Sequence, residues 1–369
     1  MSTIRALETT DLPSVAGLFQ RVFGKVGGAD NPRLVAYLGH HYLEAPGCDP
    51  ELRPLVHLRD DGTVSGFVGV TAVPMMLGER PIRAAVCGAL MVDGHEADPM
   101  AGARLLRAFV AGPQDLSLSE TANETSVALW TRLGGVTLPQ YSMDWVRVFR
   151  PASFLIDRIA SRLGLARAVR PLAGLVDRAR GGGGTAPRWS RLPALPDPVA
   201  GLEVIDLDGA GFAEAFAALT APVRLKPAYG ADQLGHVVGE ALAQVRHGPG
   251  RAAAIRTRGG KTIGAFLYHL KPGSIAHVLQ IVAAPKQTGA VIDRMFAHLA
   301  EIGAVGAMGR SQPGLVEAML GRRCAFLPFV TSVAHARDPE ILAAFDKGEA
   351  VFNGLVGETW SRLVDDDFG

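Results

Sequence analysis

The sequence predicts an α/β (α+β) protein of two successive domains, each a mixed, mostly antiparallel sheet flanked by helices. Three observations predict it. The order strand, helix, helix, three antiparallel strands, helix, strand, helix, strand runs through the chain twice. The 369 residues exceed what one compact core holds. A hydrophobic share of 48% beside 20% charged residues is that of a packed protein rather than a disordered one.

The first copy opens with a short strand, Ile4-Arg5-Ala6-Leu7. Thr10-Asp11-Leu12-Pro13 then starts a helix, because Thr10 or Asp11 caps it and Pro13 suits a first turn. Val15, Leu18, Phe19 and Phe23 give that helix an apolar face, and Leu34–Tyr42 forms a second one. Three strands follow: Pro54–Arg59, Val64–Val73 and Ile82–Val92. The turns between them are Asp60-Asp61-Gly62 and Leu77-Gly78-Glu79-Arg80. Asp98–Ala111 reads as a helix, Leu116-Ser117-Leu118 as a strand, Glu124–Leu133 as a helix, and Val136–Val148 as the closing strand pair.

Pro151–Ala179 keeps helical spacing, but Gly181–Gly184 and the prolines up to Pro198 break regular structure. The expected division is therefore a domain over 1–150, a helical and Gly/Pro-rich connection over 151–200, and a domain over 201–369. The second copy reads Leu202–Leu207 (strand), Gly211–Leu219 and Leu234–Val245 (helices), then strands Ala252–Thr257, Thr262–Leu270 and Ile275–Ala283. Helix Ala290–Leu299, strand Gly303–Met308, helix Gly314–Leu320 and strand Phe326–Ala334 complete it.

Composition excludes several function classes. With 37 basic and 36 acidic residues the net charge is +1, which argues against nucleic acid or an anionic membrane as the main partner. Cys48, Cys87 and Cys324 are scattered and lack metal-ligand spacing, so reduced thiols, no metal and a cytoplasmic location are expected. The polar N-terminus does not read as a signal peptide, and no apolar run reaches the roughly 18–20 residues that span a bilayer. No Gly-x-Ser-x-Gly elbow supports a hydrolase triad.

The stretch Val92–Leu106 runs from an apolar strand through a small-residue loop into an amphipathic helix. Backbone N–H groups at a helix start, with the helix dipole, suit a phosphate. Ala97, Ala101, Gly102 and Ala103 let a pyrophosphate approach, and Arg104 or Arg107 adds positive charge. This stretch resembles the signature of the GNAT superfamily of acyl-CoA-dependent N-acyltransferases, a strand followed by Arg/Gln-x-x-Gly-x-Gly/Ala and a helix. Gly102 keeps its place, whereas Ala97 and Met100 depart from the pattern. A second family pattern, Asn-x-x-Ala-x-x-Leu-Tyr-x-x-Leu-Gly, is similar to Asn123–Gly134, with Asn123, Leu129, Leu133 and Gly134 in register and Trp130 at the usual Tyr.

The resemblance covers roughly Ile4–Arg150, and the second half resembles the family by topology, as in tandem GNAT proteins. Its loop Pro285–Ala290 is a shortened candidate for the same cradle. The resemblance implies acetyl-CoA or another acyl-CoA as cosubstrate, held by Met91, Val92, Ala97, Ala101, Gly102, Ala103, Arg104 and Asn123. It implies a splayed strand at Leu90–Val92 whose N–H polarises the thioester. Glu120 stands where a base or an ammonium ligand is expected, and Tyr141 is the candidate acid in place of Trp130. The acceptor is then the primary amine of a small molecule; self-association as a homodimer is open. Two alternatives stand beside this reading: a catalytically degenerate GNAT-like binding protein, and a Fem-like aminoacyl transferase.

Overall fold

Local signals set most helix starts in the computed structural model, which describes residues 2–24, 31–94, 98–160, 189–365 and 368. Strand β1 (Thr3–Ala6) leads to helix α1 (Leu12–Phe23), which carries its proline in the first turn and ends on Gly24 at φ 65°. The Asn31 side chain caps α2 (Pro32–Gly39) by accepting from Arg33 and Leu34 N–H. A π turn, His40–Glu44, then replaces the last turn of the expected helix. Strands β2 (Leu55–Leu58), β3 (Val64–Leu77) and β4 (Arg80–Val92) follow. Next come α3 (Ala101–Val110), β5 (Leu116–Ala122), α4 (Glu124–Arg132) and the two-residue β6 (Val136–Thr137).

The chain continues through β7 (Met143–Val148), α5 (Pro151–Ala160), β8 (Glu203–Leu207) and α6 (Gly209–Thr220). Strand β9 (Leu225–Pro227) and α7 (Ala231–Ala243) precede a meander of β10 (Gly250–Arg256), β11 (Thr262–His269) and β12 (Ile275–Ala283). Helix α8 (Thr288–Glu301), β13 (Gly306–Arg310) and α9 (Pro313–Met319) come before β14 (Ala325–Pro328), β15 (Thr331–Ala336) and α10 (Pro339–Asp346). No described helix is long and apolar enough to cross a membrane.

Two compact units form, and they are interleaved in sequence. The first takes Met1–Pro139, Val223–Val237 and Val330–Gly369; the second takes Gln140–Pro222 and Val238–Phe329. The first sheet has the order β1-β2-β3-β4-β5-β15-β6, with β9 also on β3, and the second has β14-β7-β13-β12-β11-β10-β8. These limits differ from the expected division at 150 and 200. The Val136–Val148 segment is not one strand pair: β6 joins β15 in the first sheet, while β7 joins β13 and β14 in the second. Likewise Phe326–Ala334 is two strands in different sheets. Alternation shows that a segment is extended, but not which edge it joins. The stretch 161–188, most of the expected connection, lies outside the described residues.

In the first unit, Leu12, Val15, Phe19, Leu34 and Leu38 of α1 and α2 cover one sheet face at Phe67 and Met91. On the other face Leu105, Leu106, Phe109 and Trp130 of α3 and α4 pack on Val68, Val70, Ala85 and Cys87. In the second unit α8 lays Val291, Ile292, Met295 and Phe296 on Phe266 and Ile281. Each Val, Leu, Ile, Phe or Met among these contributes roughly 1.5–3 kcal/mol by burial.

Candidate functional site

Strands β4 and β5 run parallel and pair only from Ala84–Val86 against Leu116–Leu118. Beyond that point β4 stays with β3, and β5 pairs with β15 from Leu116 to Ala122. The two strands therefore part after Val86 and Leu118. At the parting β4 carries a bulge. Phe67 faces Met91 and Gly69 faces Gly88, so Ala89 and Leu90 together oppose Val68. Ala89 sits at φ 54°, a backbone state that costs a non-glycine residue energy and needs support from its surroundings.

The opening is furnished by a segment far away in sequence. Glu120, on β5, is fully buried. Its carboxylate accepts the N–H of Gly354 at 3.1 Å, of Glu358 at 2.9 Å and of Thr359 at 3.0 Å, and the Thr359 hydroxyl at 3.0 Å. Only glycine fits at 357, because a Cβ there would lie 2.0 Å from Glu120 Oε2. Wrapped on Glu120 in this way, the tail sends the half-buried Glu358 into the gap. Thr121 N–H and hydroxyl donate to Glu358 Oε1. Its other oxygen faces β4, so that a Cβ on Gly88 would meet Oε2 at 2.9 Å. Tyr42, from the π turn, lies over Gly69, the ladder partner of Gly88. Burial and then the charge of Glu358 raise its phenol well above the ordinary value, so it stays protonated at neutral pH.

The start of α3 lies beside the end of β4. Ala101 is buried, and Met100 is 61% exposed. Asp98 accepts the Met100 N–H through Oδ1 at 3.2 Å and ion-pairs with the exposed Arg104. Arg104 also donates to His57 Nε2 at 3.0 Å, while His57 Nδ1 meets Ser65 Oγ at 2.8 Å. Burial, and then Arg104, lowers the His57 pKa, which agrees with a neutral ring that accepts at Nε2.

The second unit repeats the opening. Parallel β12 and β13 pair only from Ile275–Val278 against Gly306–Gly309. Leu279 is an extra residue in the β11–β12 ladder, since Leu267 faces Gln280 and Tyr268 faces Val278. Lys286 sits at φ 65° before α8. The Arg322 guanidinium lies over Gly289, held bidentately by Asp293 at 2.7 and 2.8 Å.

The fold has counterparts among solved structures. A conserved protein of unknown function from Enterococcus faecalis V583, described as a probable N-acyltransferase, superposes with a TM-score of 0.57 at 11% identity. The match covers 91% of this chain and 73% of that one. A GCN5-related N-acetyltransferase from Kribbella flavida gives 0.55 at 13% identity over 93% and 73%. Another from Anabaena variabilis gives 0.60 at 11% over 92% and 74%. The chain has the GNAT fold. No family model matches the sequence, and no curated protein does.

Within this GNAT fold the expected residues fall into place unevenly. Met91 is core, and Val92 pairs with Gly66 on β3. Ala101, Gly102 and Ala103 form the first turn of α3; the Ala101 N–H donates to Asp98 O at 3.2 Å, and helix geometry leaves the N–H groups of Gly102 and Ala103 outside the ladder. A Cβ on Gly102 would meet Val92 and Leu129 at ordinary contact distances of 3.5 and 3.9 Å. Ala97 lies outside the described residues. Asn123 caps α4, its Oδ1 accepting from Ser126 N–H at 2.9 Å.

Glu120 is corrected from base to anchor: its oxygens are engaged by four donors from the tail. Tyr141 is 1% exposed, in the turn Pro139–Tyr141, and belongs to the second unit, while Glu120 and Glu358 belong to the first. Trp130 is fully buried against Phe109 and packs as its position suggests. Tyr268 is core in the second unit. Sequence reasoning missed Glu358 and Tyr42. The tail Glu358-Thr359-Trp360 was the one signal, since a conspicuous polar–aromatic cluster outside the repeat has to dock somewhere.

Proposed function

We propose that the protein is an acyl-CoA-dependent N-acyltransferase that acts on a primary amine of a small molecule. The single observation that carries this reading is the opening between β4 and β5, with a backbone bulge on one wall and the Glu358 carboxylate on the other. The bulge takes a β4 amide out of the β3 ladder, and such an amide stabilises an oxyanion. Glu358 accepts a proton from the attacking ammonium, held in position by Thr121. Tyr42 stays protonated beside the gap, so its hydroxyl is a hydrogen-bond donor there for the departing thiolate. Holding amine and acyl carbon together between these groups supplies much of the rate.

The small residues at the start of α3 fit a pyrophosphate, and Arg104 offsets the charge of Asp98 there. Bound acyl-CoA supplies the activated acyl group; Ala101, Gly102, Ala103 and Arg104 hold its phosphates. Lys286, Arg322 and the start of α8 favour a second reading, in which the donor binds the second unit. Acetyl-CoA titration by calorimetry decides between them. Arg104 and Lys286 are both exposed. Binding weakened at least tenfold by Arg104→Glu and untouched by Lys286→Glu supports the first unit, and the reverse pattern moves the donor to the second. No binding at millimolar acetyl-CoA removes the enzyme reading and leaves a GNAT-like binding protein.

A further inference from the structure

Arg104, the cation assigned to the phosphates of acyl-CoA, is already engaged twice within the first unit. It ion-pairs with Asp98 and donates to His57 Nε2 at 3.0 Å. The same Nε2 lies 3.3 Å from Asp98 Oδ2. The three side chains form a closed triangle, with His57 as its buried corner and Arg104 as its most open one. Backbone packing fixes the buried corner. His57 pairs with Gly66 on β3. Helix α3 rests there so closely that a Cβ on Gly66 would meet Leu105 at 2.8 Å and His57 Cβ at 3.2 Å. The ring has little room to swing, so a change of partners falls to the long side chain of Arg104.

The two ring nitrogens have different duties. Nδ1 lies 2.8 Å from Ser65 Oγ, and a hydroxyl accepts from Nδ1–H whether the ring is neutral or charged. Nε2 accepts from Arg104 only while the ring is neutral. Once protonated it donates, and Asp98 is the acceptor within reach. Arg104 and Asp98 therefore select opposite states of one atom. Burial and then Arg104 keep the ring neutral, Asp98 acts the other way, and Arg59 acts with Arg104. Arg59 donates to Asp93 O at 3.2 Å, and Arg21 ion-pairs with the Asp93 carboxylate at 2.6 Å.

We propose that His57 is a positioning residue of the acyl-CoA site, which holds Arg104 at the start of α3 and exchanges it for Asp98 when a diphosphate binds. The proposal rests on the reading that places acyl-CoA in the first unit. Arg104 turns to the phosphate oxygens, one proton from solvent goes to His57 Nε2, and the new N–H donates to Asp98. The complex then carries one proton more than its separate parts, and no covalent bond other than that N–H is made. The exchange has a purpose. When Arg104 leaves, Asp98 would face the incoming phosphates as a like charge, and the imidazolium neutralises it. Affinity for the diphosphate therefore rises as the pH falls through the window above the midpoint of the unliganded ring, by up to about tenfold per pH unit.

The test uses the full chain with acetyl-CoA and, as a second probe, inorganic pyrophosphate. Calorimetry at pH 6.5 in PIPES and in imidazole gives the protons taken up per ligand, from the dependence of the heat on the buffer. His57→Gln keeps an oxygen that accepts from Arg104 but cannot take a proton. The ligand's own titration cancels between the two proteins. Wild type is expected to take up about half a proton or more beyond His57→Gln. In the unliganded protein, NMR titration of the His57 ring, identified by its loss in His57→Gln, should show a midpoint raised by at least about half a pH unit in Arg104→Gln. A purely structural role for His57 would move neither readout. Binding with equal proton counts overturns the exchange and leaves the acyltransferase reading standing. A His57 midpoint unmoved by Arg104→Gln overturns the exchange as well. Pyrophosphate bound with the extra proton, but no binding of acetyl-CoA, upholds the exchange and removes acyl-CoA as its ligand. Failure of both ligands to bind overturns the exchange and the reading together.

Discussion

The Glu120 carboxylate accepts the Thr359 N–H at 3.0 Å, joining the middle of β5 to a segment 239 positions further on. Glu120→Ala leaves four tail donors without their acceptor. The expected loss is at least about 3 kcal/mol, because buried donors left unmade cost about 1–3 kcal/mol each. Glu120→Gln should lose less but still destabilise, since its amide NH₂ faces N–H groups. Urea unfolding followed by circular dichroism checks both; a loss under about 1 kcal/mol for Glu120→Ala would contradict the anchoring role.

Glu358→Gln keeps an oxygen for Thr121 and removes the proton acceptor. Turnover with an amine and acyl-CoA should fall about a hundredfold, the range of general acid–base catalysis, with the melting temperature nearly unchanged. Steady-state kinetics beside a thermal melt separate the two effects. Unaltered kcat would remove Glu358 from the chemistry.

Gly88→Ala tests the same carboxylate from the other wall. The new Cβ comes within 2.9 Å of Glu358 Oε2, the far end of a side chain that Thr121 holds in place. Stability should change by less than about 1 kcal/mol, as a small surface of contact is affected. Activity should fall at least tenfold. If stability collapses while the residual activity per folded molecule is intact, the gap between β4 and β5 is a packing feature only.

His41 sets a pH dependence. An unfolded histidine titrates near about 6.5, whereas burial holds folded His41 at about 3. Between those values the unfolded chain binds one more proton than the native chain. Stability therefore rises with pH across that window and declines as the pH drops below about 6.5. The full slope for one proton is about 1.4 kcal/mol per pH unit. His57, His298 and His335 shift in the same direction and add to the wild-type slope. Urea unfolding at pH 7, 6 and 5 should show a flatter dependence in His41→Phe. Equal slopes would mean that His41 is solvated in the native state.

Much of this was readable in advance wherever the information was local. The hairpin turn at Asp60-Asp61-Gly62, the proline-led start of α1 and the amphipathic α3 depend on neighbours within a few positions. So did the register of Asn123–Gly134, although Asn123 turned out to cap a helix. What stayed hidden was long-range. A carboxylate such as Glu120 looks alike in sequence whether it works on a substrate or receives four tail N–H groups. Glu358 acquires meaning only when the tail is laid on β5. Strands β7 and β15 read as ordinary extended segments, because hydrophobic alternation carries no address.

The interleaving has a consequence for how the protein is made. A ribosome at roughly 5–20 residues per second releases the stretch up to Pro139 long before Val330 emerges, a lag on the order of 10–40 s. During that lag β5 lacks the neighbour that β15 will provide, and Glu120 lacks its donors. The nascent first unit is thus an unfinished sheet with an open edge and a bare buried acid, a natural client for a chaperone. A premature stop after Phe329 would spare every residue of the second unit and still deprive the first of its closing strand.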